Sequence, residues 1–201
     1  MWWHMATRVK LLEKMEHYYN NIHGWFTFQD LYSEMVEKFP DGSHFVELGS
    51  WQGKSAVFMG VEIVNSNKDI KFDCIDNWLF EGEIYSRNSE YMKMKHNAFN
   101  MFLKNIEPLS KVINYHKMDS VEASKLYDDE SLEFVYVDAS HYYENVKNDL
   151  TYWYPKVKSG GVIAGHDYQY AGVKLAVDEF FTGKIMKTPE TSWVYYKNNL
   201  I

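Results

Sequence analysis

The chain has 201 residues, 46% of them hydrophobic, and a formal net charge of −7, which supports one well-buried core and a single domain over 1–201. With no block of Lys or Arg, that acidic balance argues against a nucleic-acid partner and against an anionic-membrane anchor, and leaves a small uncharged or cationic partner as the better fit. The single cysteine, Cys74, cannot form an internal disulfide, no window reaches membrane-spanning length, and the opening MWWHMATRVK lacks the apolar run of a leader, so a soluble, cytoplasmic protein is expected.

In chain order, 5–19 reads as a weak helix. Thr27 is placed to cap a second one with Phe28, Leu31, Tyr32, Met35, Val36 and Phe39 on one face, supported by Asp30 and stopped by Pro40-Asp41-Gly42. Together these make a helical cover over 1–42. From 43 to 201 strands alternate with helices. HFVELG (44–49) is a strand, a helix runs from about Gly53 to Asn65, KFDCID (71–76) is a strand, and an irregular stretch follows. A helix capped by Ser89 reaches about Asn105, KVINYHK (111–117) is a strand, and Asp119 opens a short helix. LEFVYVD (132–138) leads to a helix from about His141, with Tyr143, Val146, Leu150 and Tyr154 inward and Pro155 at its end. Gly160-Gly161 introduces VIAGHD (162–167), a helix buries Val173, Ala176, Val177, Phe180 and Phe181, and SWVYYK (192–197) closes as a strand. Such alternation specifies a mostly parallel α/β sheet covered by helices.

In these sheets ligands bind beyond the carboxyl ends of the strands, where the strand order reverses. The residues there are Glu47 to Gly53, Asp76 to Trp78, Asp119-Ser120, Asp138 to His141 and His166 to Tyr168. Gly49 to Lys54 sounds like a phosphate loop, but a Walker A loop needs four residues between its glycine and Gly-Lys, and Gly49-Ser-Trp-Gln-Gly53 has three. Glu47 sets a negative charge where phosphate would sit, and Trp51 fills the place of the second Rossmann glycine. FVYVD (134–138) keeps a P-loop-like NTPase open as an alternative, and a cofactor-binding module without turnover is another. A carboxylate before the turn suits a ligand with a cationic amino-acid end. Asp76 is placed to accept from two ribose hydroxyls, and Asp119-Ser120 from an adenine amino group.

On these residues the chain resembles the class I S-adenosylmethionine-dependent methyltransferases. More narrowly it is similar to the methyltransferase-24 family that includes the macrocin and mycinamicin sugar O-methyltransferases. The stretches that carry the likeness are IHGWF (22–26), VELGSWQGKS (46–55), IDNW (75–78), VYVDASHYYENVKNDL (135–150) and SGGVIAGHDY (159–168). The resemblance implies a Rossmann-like, mostly parallel seven-stranded sheet with helices on both faces. It also implies a cofactor pocket formed by Glu47, Gly49, Ser50, Trp51, Gly53, Ser55, Asp76, Asn77, Trp78, Asp119, Ser120 and Asp138. A small-molecule acceptor, such as a sugar hydroxyl, goes with it.

Asp138 and Asp167 each end a strand, and if those strands are neighbours, about 4.8 Å apart, the two carboxylates converge on one small hard cation. A metal or a proton must relieve that pair. His141, at a helix start, is expected to stay neutral and act as a base. In the family an Asp-x-x-His unit supplies a magnesium ligand and the base, which Asp138-Ala-Ser-His141 matches. The acidic pair after the next strand reads His166-Asp167 here, a departure, because imidazole is a poor magnesium ligand. The metal set is therefore Asp138, Asp167 and His166, for Mg2+ or another divalent ion. NWLFEGEIYSRNSE (77–90) is expected to be an acceptor-selecting lid, with Trp78, Tyr85 and Arg87 as contacts. Trp2-Trp3 is an apolar pair able to meet a second copy in a homo-oligomer.

Overall fold

Successive side chains of a strand leave opposite faces of its sheet, and in the strand His44–Leu48 (β1) the sorting is visible directly. Phe45 joins one buried cluster, and Val46 and Leu48 join another. The computed structural model describes residues 14–79 and 89–198, with the side chains of the helix at 89–106 described from residue 97 on. Trp2-Trp3, Tyr85 and Arg87 lie outside those residues.

Among the described residues seven strands form one sheet. After β1 come Lys71–Asp76 (β2), Ile113–Lys117 (β3), Leu132–Val137 (β4), Val157–Gly165 (β5), Met186–Lys187 (β6) and Trp193–Tyr196 (β7), in the spatial order β3-β2-β1-β4-β5-β7-β6. The first five pair in parallel, whereas β7 runs antiparallel to both β5 and β6. The mostly parallel sheet read from the alternation is therefore what forms, and its order reverses between β1 and β4.

Helices Gln29–Lys38 (α1), Lys54–Ser66 (α2) and Ser89–Ile106 (α3) pack on the Phe45 face, where Tyr32, Met35, Phe72, Phe102 and Phe134 are buried. Helices Ser120–Ser124 (α4), Tyr143–Trp153 (α5) and Ala171–Phe181 (α6) cover the Val46 face, over Leu132, Val135, Ile163, Trp153 and Trp193. Among the described residues no helix is long and apolar enough to cross a membrane.

Several boundaries differ from the sequence reading. The described tail of the helix expected at 5–19 is not helical; Met15 instead exchanges backbone hydrogen bonds with the Asn65 side chain, 2.7 and 3.0 Å, and one 3-10 turn follows at Tyr19–Asn21. Thr27 is not a cap, since α1 begins after Phe28 without a capping side chain. β5 starts at Val157, ahead of Gly160-Gly161, with a register irregularity opposite Leu132 and Phe134. Pro155 sits inside a 3-10 turn, Tyr154–Lys156, where its missing N–H costs nothing. The two-residue β6 carries too little pattern to be seen in sequence.

Candidate active site

At the reversal point the loop after β1 passes directly over the end of β4. Gly49 has φ 87°, and a Cβ built there would lie 2.2 Å from the Asp138 carbonyl oxygen, so no other residue fits. Gly53, φ 84°, then turns the chain into α2. Between the two glycines the backbone N–H groups of Ser50 and Trp51 both donate to Asp76 Oδ2 at 3.0 Å, and Trp78 N donates to Oδ1 at 2.7 Å. Burial pushes the Asp76 carboxyl upward and these three donors pull it back, with a net rise. A carboxylate has about four lone-pair sites, so Asp76 clasps the loop and keeps capacity for one more donor.

Trp78 turns inward, 7% exposed, with its ring 4.7 Å from Phe99 and 4.8 Å from Phe102, and its indole N–H donates to Trp51 O at 2.7 Å. As a lid contact it is therefore misplaced, because its ring is committed to the α3 packing. Asn77 is exposed and accepts from Leu79 N.

Behind the loop, Glu47 is 1% exposed and accepts from the Tyr32 hydroxyl at 2.7 Å through Oε2. Its Oε1 and the Ser50 Oγ, both buried, have no hydrogen-bond partner. Burial raises the Glu47 carboxyl to about 7, against the pull of the Tyr32 hydroxyl and of the nearby Ser50 and Ser55 hydroxyls, which complete no hydrogen bond to it, with the Asp138 charge adding to the rise. Buried polar groups almost always find partners, so two orphans side by side at a strand end mark a place for a ligand.

After β3, Asp119 caps α4, its Oδ1 accepting from Val121 N at 2.9 Å and Glu122 N at 3.2 Å. The Ser120 hydroxyl donates to Asp149 on α5, and Trp153 Nε1 donates to Ser120 O at 3.1 Å. Asp149, which sequence reasoning did not single out, is buried and is raised by that burial to about 7.

β4 and β5 are neighbours, as the convergence argument requires, and Asp138, His166 and Asp167 each offer a donor atom within 4.8 Å of the others'. His166 Nδ1 stands 3.3 Å from Asp167 Oδ1 and 3.7 Å from Asp138 Oδ1. Burial opposes charge on the His166 ring, but hydrogen bonding to and the charges of Asp138 and Asp167 win, raising it to about 10. Asp138 is raised, chiefly by burial; partial burial pushes the half-buried Asp167 up as well, yet His141 and His166 hold it well below the usual carboxylate range.

α5 begins at Tyr143, so His141 precedes the helix instead of opening it. What disposes its ring is Asp167, whose Oδ2 accepts from Nε2 at 2.7 Å, and Tyr170, stacked at 4.7 Å between centroids. Asp167 itself has φ 58° and also accepts from Gln169 Nε2. On the far side of His166, Thr27 Oγ1 and Thr191 Oγ1 lie 3.1 and 3.3 Å from Nε2. Tyr32, Thr27, Tyr170 and Thr191 were not read as site residues. Tyr32 had a signal, a tyrosine on an otherwise apolar helix face, whereas nothing local ties Thr27 to a residue 139 positions away.

Residues 46–168 match a family model described as a methyltransferase domain. No curated protein matches the chain in sequence. Among solved structures, the O-methyltransferase NovP is 18% identical with a TM-score of 0.64, covering 85% of this chain and 79% of its own. CalS11, a TDP-rhamnose 3'-O-methyltransferase of calicheamicin biosynthesis, is 14% identical at TM-score 0.56, covering 85% and 77%. Cofactor-bound Rv0187 from MTB is 10% identical at 0.63, covering 89% and 83%. At these identities the structures speak for the fold. The family match spans more than half the chain and contains the loop after β1 and the ends of β2, β4 and β5, and by it the chain belongs to the methyltransferase-24 family of class I S-adenosylmethionine-dependent methyltransferases.

Proposed function

We propose that the protein transfers a methyl group from S-adenosylmethionine to the hydroxyl of a small molecule. The observation that carries this is the pair of buried, partnerless acceptors, Glu47 Oε1 and Ser50 Oγ, beside a loop that only glycine can thread. Glu47 and Ser50, with Ser55 behind them, receive the cationic amino-acid end of the cofactor; Asp76 takes a ribose hydroxyl, and Asp119, whose Oδ1 is spent on α4, offers its other oxygen to the adenine amino group. Gly49, Trp51, Gly53, Asn77, Trp78, Ser120 and Asp138 complete the wall.

The cofactor supplies an electrophilic methyl on a sulfonium. The chain supplies position and a base. Asp167 accepts from His141 Nε2 at 2.7 Å, which fixes the ring so that Nδ1 is the nitrogen that takes the proton of the acceptor hydroxyl, in the manner of a carboxylate-oriented histidine. Asp138, His166 and Asp167 would hold a divalent cation, which would displace the proton that the two carboxylates keep on His166 Nδ1 and would lower the pKa of that hydroxyl. Their convergence fits such an ion, and one imidazole among two carboxylates favours zinc or iron(II) over magnesium. CalS11 acts on a sugar nucleotide, and a sugar hydroxyl is the acceptor class favoured here.

Calorimetry tests the reading. S-adenosylmethionine and its demethylated product bind with micromolar affinity, ATP gives no heat, and Asp76→Ala removes binding while the protein stays folded. Tight uptake of ATP in place of the sulfonium nucleoside would sink it.

A further inference from the structure

The strongest feature that this reading leaves unused lies on the side of His166 away from the carboxylates, where three segments distant in sequence meet. We infer that Thr27, together with Thr191, is a positioning residue for the reaction centre: it holds the His166 ring by Nε2, so that Nδ1 is the nitrogen turned toward Asp138 and Asp167. The inference rests on the assignment of that end of the crevice to methyl transfer, but the orientation itself can be read without cofactor or acceptor.

The proton count fixes the roles. Thr27 Oγ1 donates to Glu190 O at 3.2 Å and lies 3.1 Å from His166 Nε2. A hydroxyl has one proton. With that proton on the Glu190 carbonyl, the Thr27 oxygen can only accept from the ring, so Nε2 carries the hydrogen. Thr191 Oγ1, 3.3 Å away, is a second oxygen beside the same N–H. Nδ1 is then left facing Asp167 Oδ1 at 3.3 Å and Asp138 Oδ1 at 3.7 Å, whatever cation it shares with them.

The backbone supplies an independent sign. Thr191 has φ 70°, a conformation that a β-branched residue adopts only when its surroundings impose it. They do so here: Tyr168 N donates to Thr191 O at 3.0 Å, and Thr188 and Ser192 on either side are joined by hydrogen bonds of 2.9 and 3.2 Å. Tyr168 lies two residues after His166, so the strained turn is anchored to the segment that carries the ring. Groups that hold the far nitrogen of a functional imidazole decide which nitrogen is presented, and their loss typically costs about 10- to 100-fold in function.

The test uses the whole 15N-labelled protein and the shape-conserving variant Thr27→Val, with His166→Gln to assign the ring signals. In the wild type the His166 Nε2–H gives a signal protected from solvent. Thr27→Val shifts it and speeds its exchange at least tenfold, and Thr27→Ser restores it. Thr191→Gly, which removes the second oxygen together with the strain, also speeds the exchange without lowering the melting temperature. An unshifted, equally protected signal in Thr27→Val would overturn the proposal. Failure of the methyltransferase reading would look different: no uptake of S-adenosylhomocysteine by the wild type, with the ring signals as described.

Discussion

Two buried acids on adjacent strands, Glu47 on β1 and Asp73 on β2, are treated in opposite ways by the same fold. Asp73 is 6% exposed and fully partnered: His44 Nε2 at 2.7 Å, the Tyr127 hydroxyl at 2.8 Å and Asn114 Nδ2 at 3.2 Å all donate to it. Burial pushes its carboxyl up, but the His44, Tyr127 and Asn114 contacts win and leave it below the usual range. Glu47 is 1% exposed and has one strong donor, Tyr32, with its second oxygen orphaned, and it rises to about 7. A satisfied buried carboxylate belongs to the scaffold. An unsatisfied one is the candidate for a site, because a ligand or an ordered water has to complete it.

The sharpest way to break that contrast is at Asp73. Asp73→Ala strips the buried Tyr127 hydroxyl and the more exposed His44 and Asn114 of their acceptor and should cost about 3 kcal/mol of stability, the low end of the scale for breaking a buried charged network. Cofactor affinity, measured by calorimetry on the folded fraction, should stay within about twofold, since no hydrogen bond runs from Asp73 to the loop after β1. A loss of cofactor binding as large as the loss of stability would mean that the two acids do not play separate roles.

Next in size is the pH dependence, where the two acids have opposite signs. Glu47 binds its proton more tightly folded than unfolded, so its contribution is fully present below about 4.5 and is lost as pH rises through about 7. At about 1.4 kcal/mol per pH unit the full swing is about 3 kcal/mol. Asp73 is lowered, so its contribution is present above the ordinary aspartate value and disappears in acid. Glu47→Gln should therefore take its own share, about 3 kcal/mol, out of the fall in stability between about pH 5 and 7 and leave the share of Asp149, which also rises to about 7; the acid limb should be unchanged, read by urea unfolding at a series of pH values.

The same substitution gives the third prediction. A neutral amide cannot meet the cationic end of the cofactor, so Glu47→Gln should weaken S-adenosylhomocysteine binding by about tenfold or more at pH 8, equivalent to about 1.4 kcal/mol. In the wild type affinity should rise with pH up to about 7 and then level off as Glu47 ionises. A flat profile would assign the carboxyl to packing alone.

How much of this was legible beforehand follows from range. The parallel sheet, the loop at Gly49 and Gly53, and the acidic strand ends are written locally, in apolar runs that stop at a carboxylate or a glycine. Glu47 was readable as a charge at the end of a strand, but not as half-satisfied, because its partner Tyr32 arrives from α1. Asp73 was invisible within KFDCID, since His44, Asn114 and Tyr127 come from three other segments. His141 was assigned to a helix start, and what holds it is Asp167, 26 residues later. Thr27 failed for the same reason: its spacing before α1 fits a cap, and only the folded chain brings it to His166. Sequence pattern finds the ends of elements, whereas pairing across elements decides which polar group is left wanting.

The smallest effect discriminates best. Ser50 Oγ is buried and has no partner, so Ser50→Ala removes a desolvated group without breaking a hydrogen bond. Stability should change by no more than about 0.5 kcal/mol, with gain as acceptable as loss, whereas a serine of the scaffold such as Ser43, whose hydroxyl donates to Pro40 O at 2.6 Å, should cost about 1 kcal/mol on the same change. Affinity for S-adenosylhomocysteine should fall about threefold to tenfold, the value of one hydrogen bond formed only with the ligand present. Melting curves of Ser50→Ala and Ser43→Ala, each with and without the nucleoside, measure both quantities. A Ser50→Ala protein that melts lower without the nucleoside and gains the wild-type increment with it would place that hydroxyl in the scaffold, and would leave the cofactor reading to Glu47 Oε1.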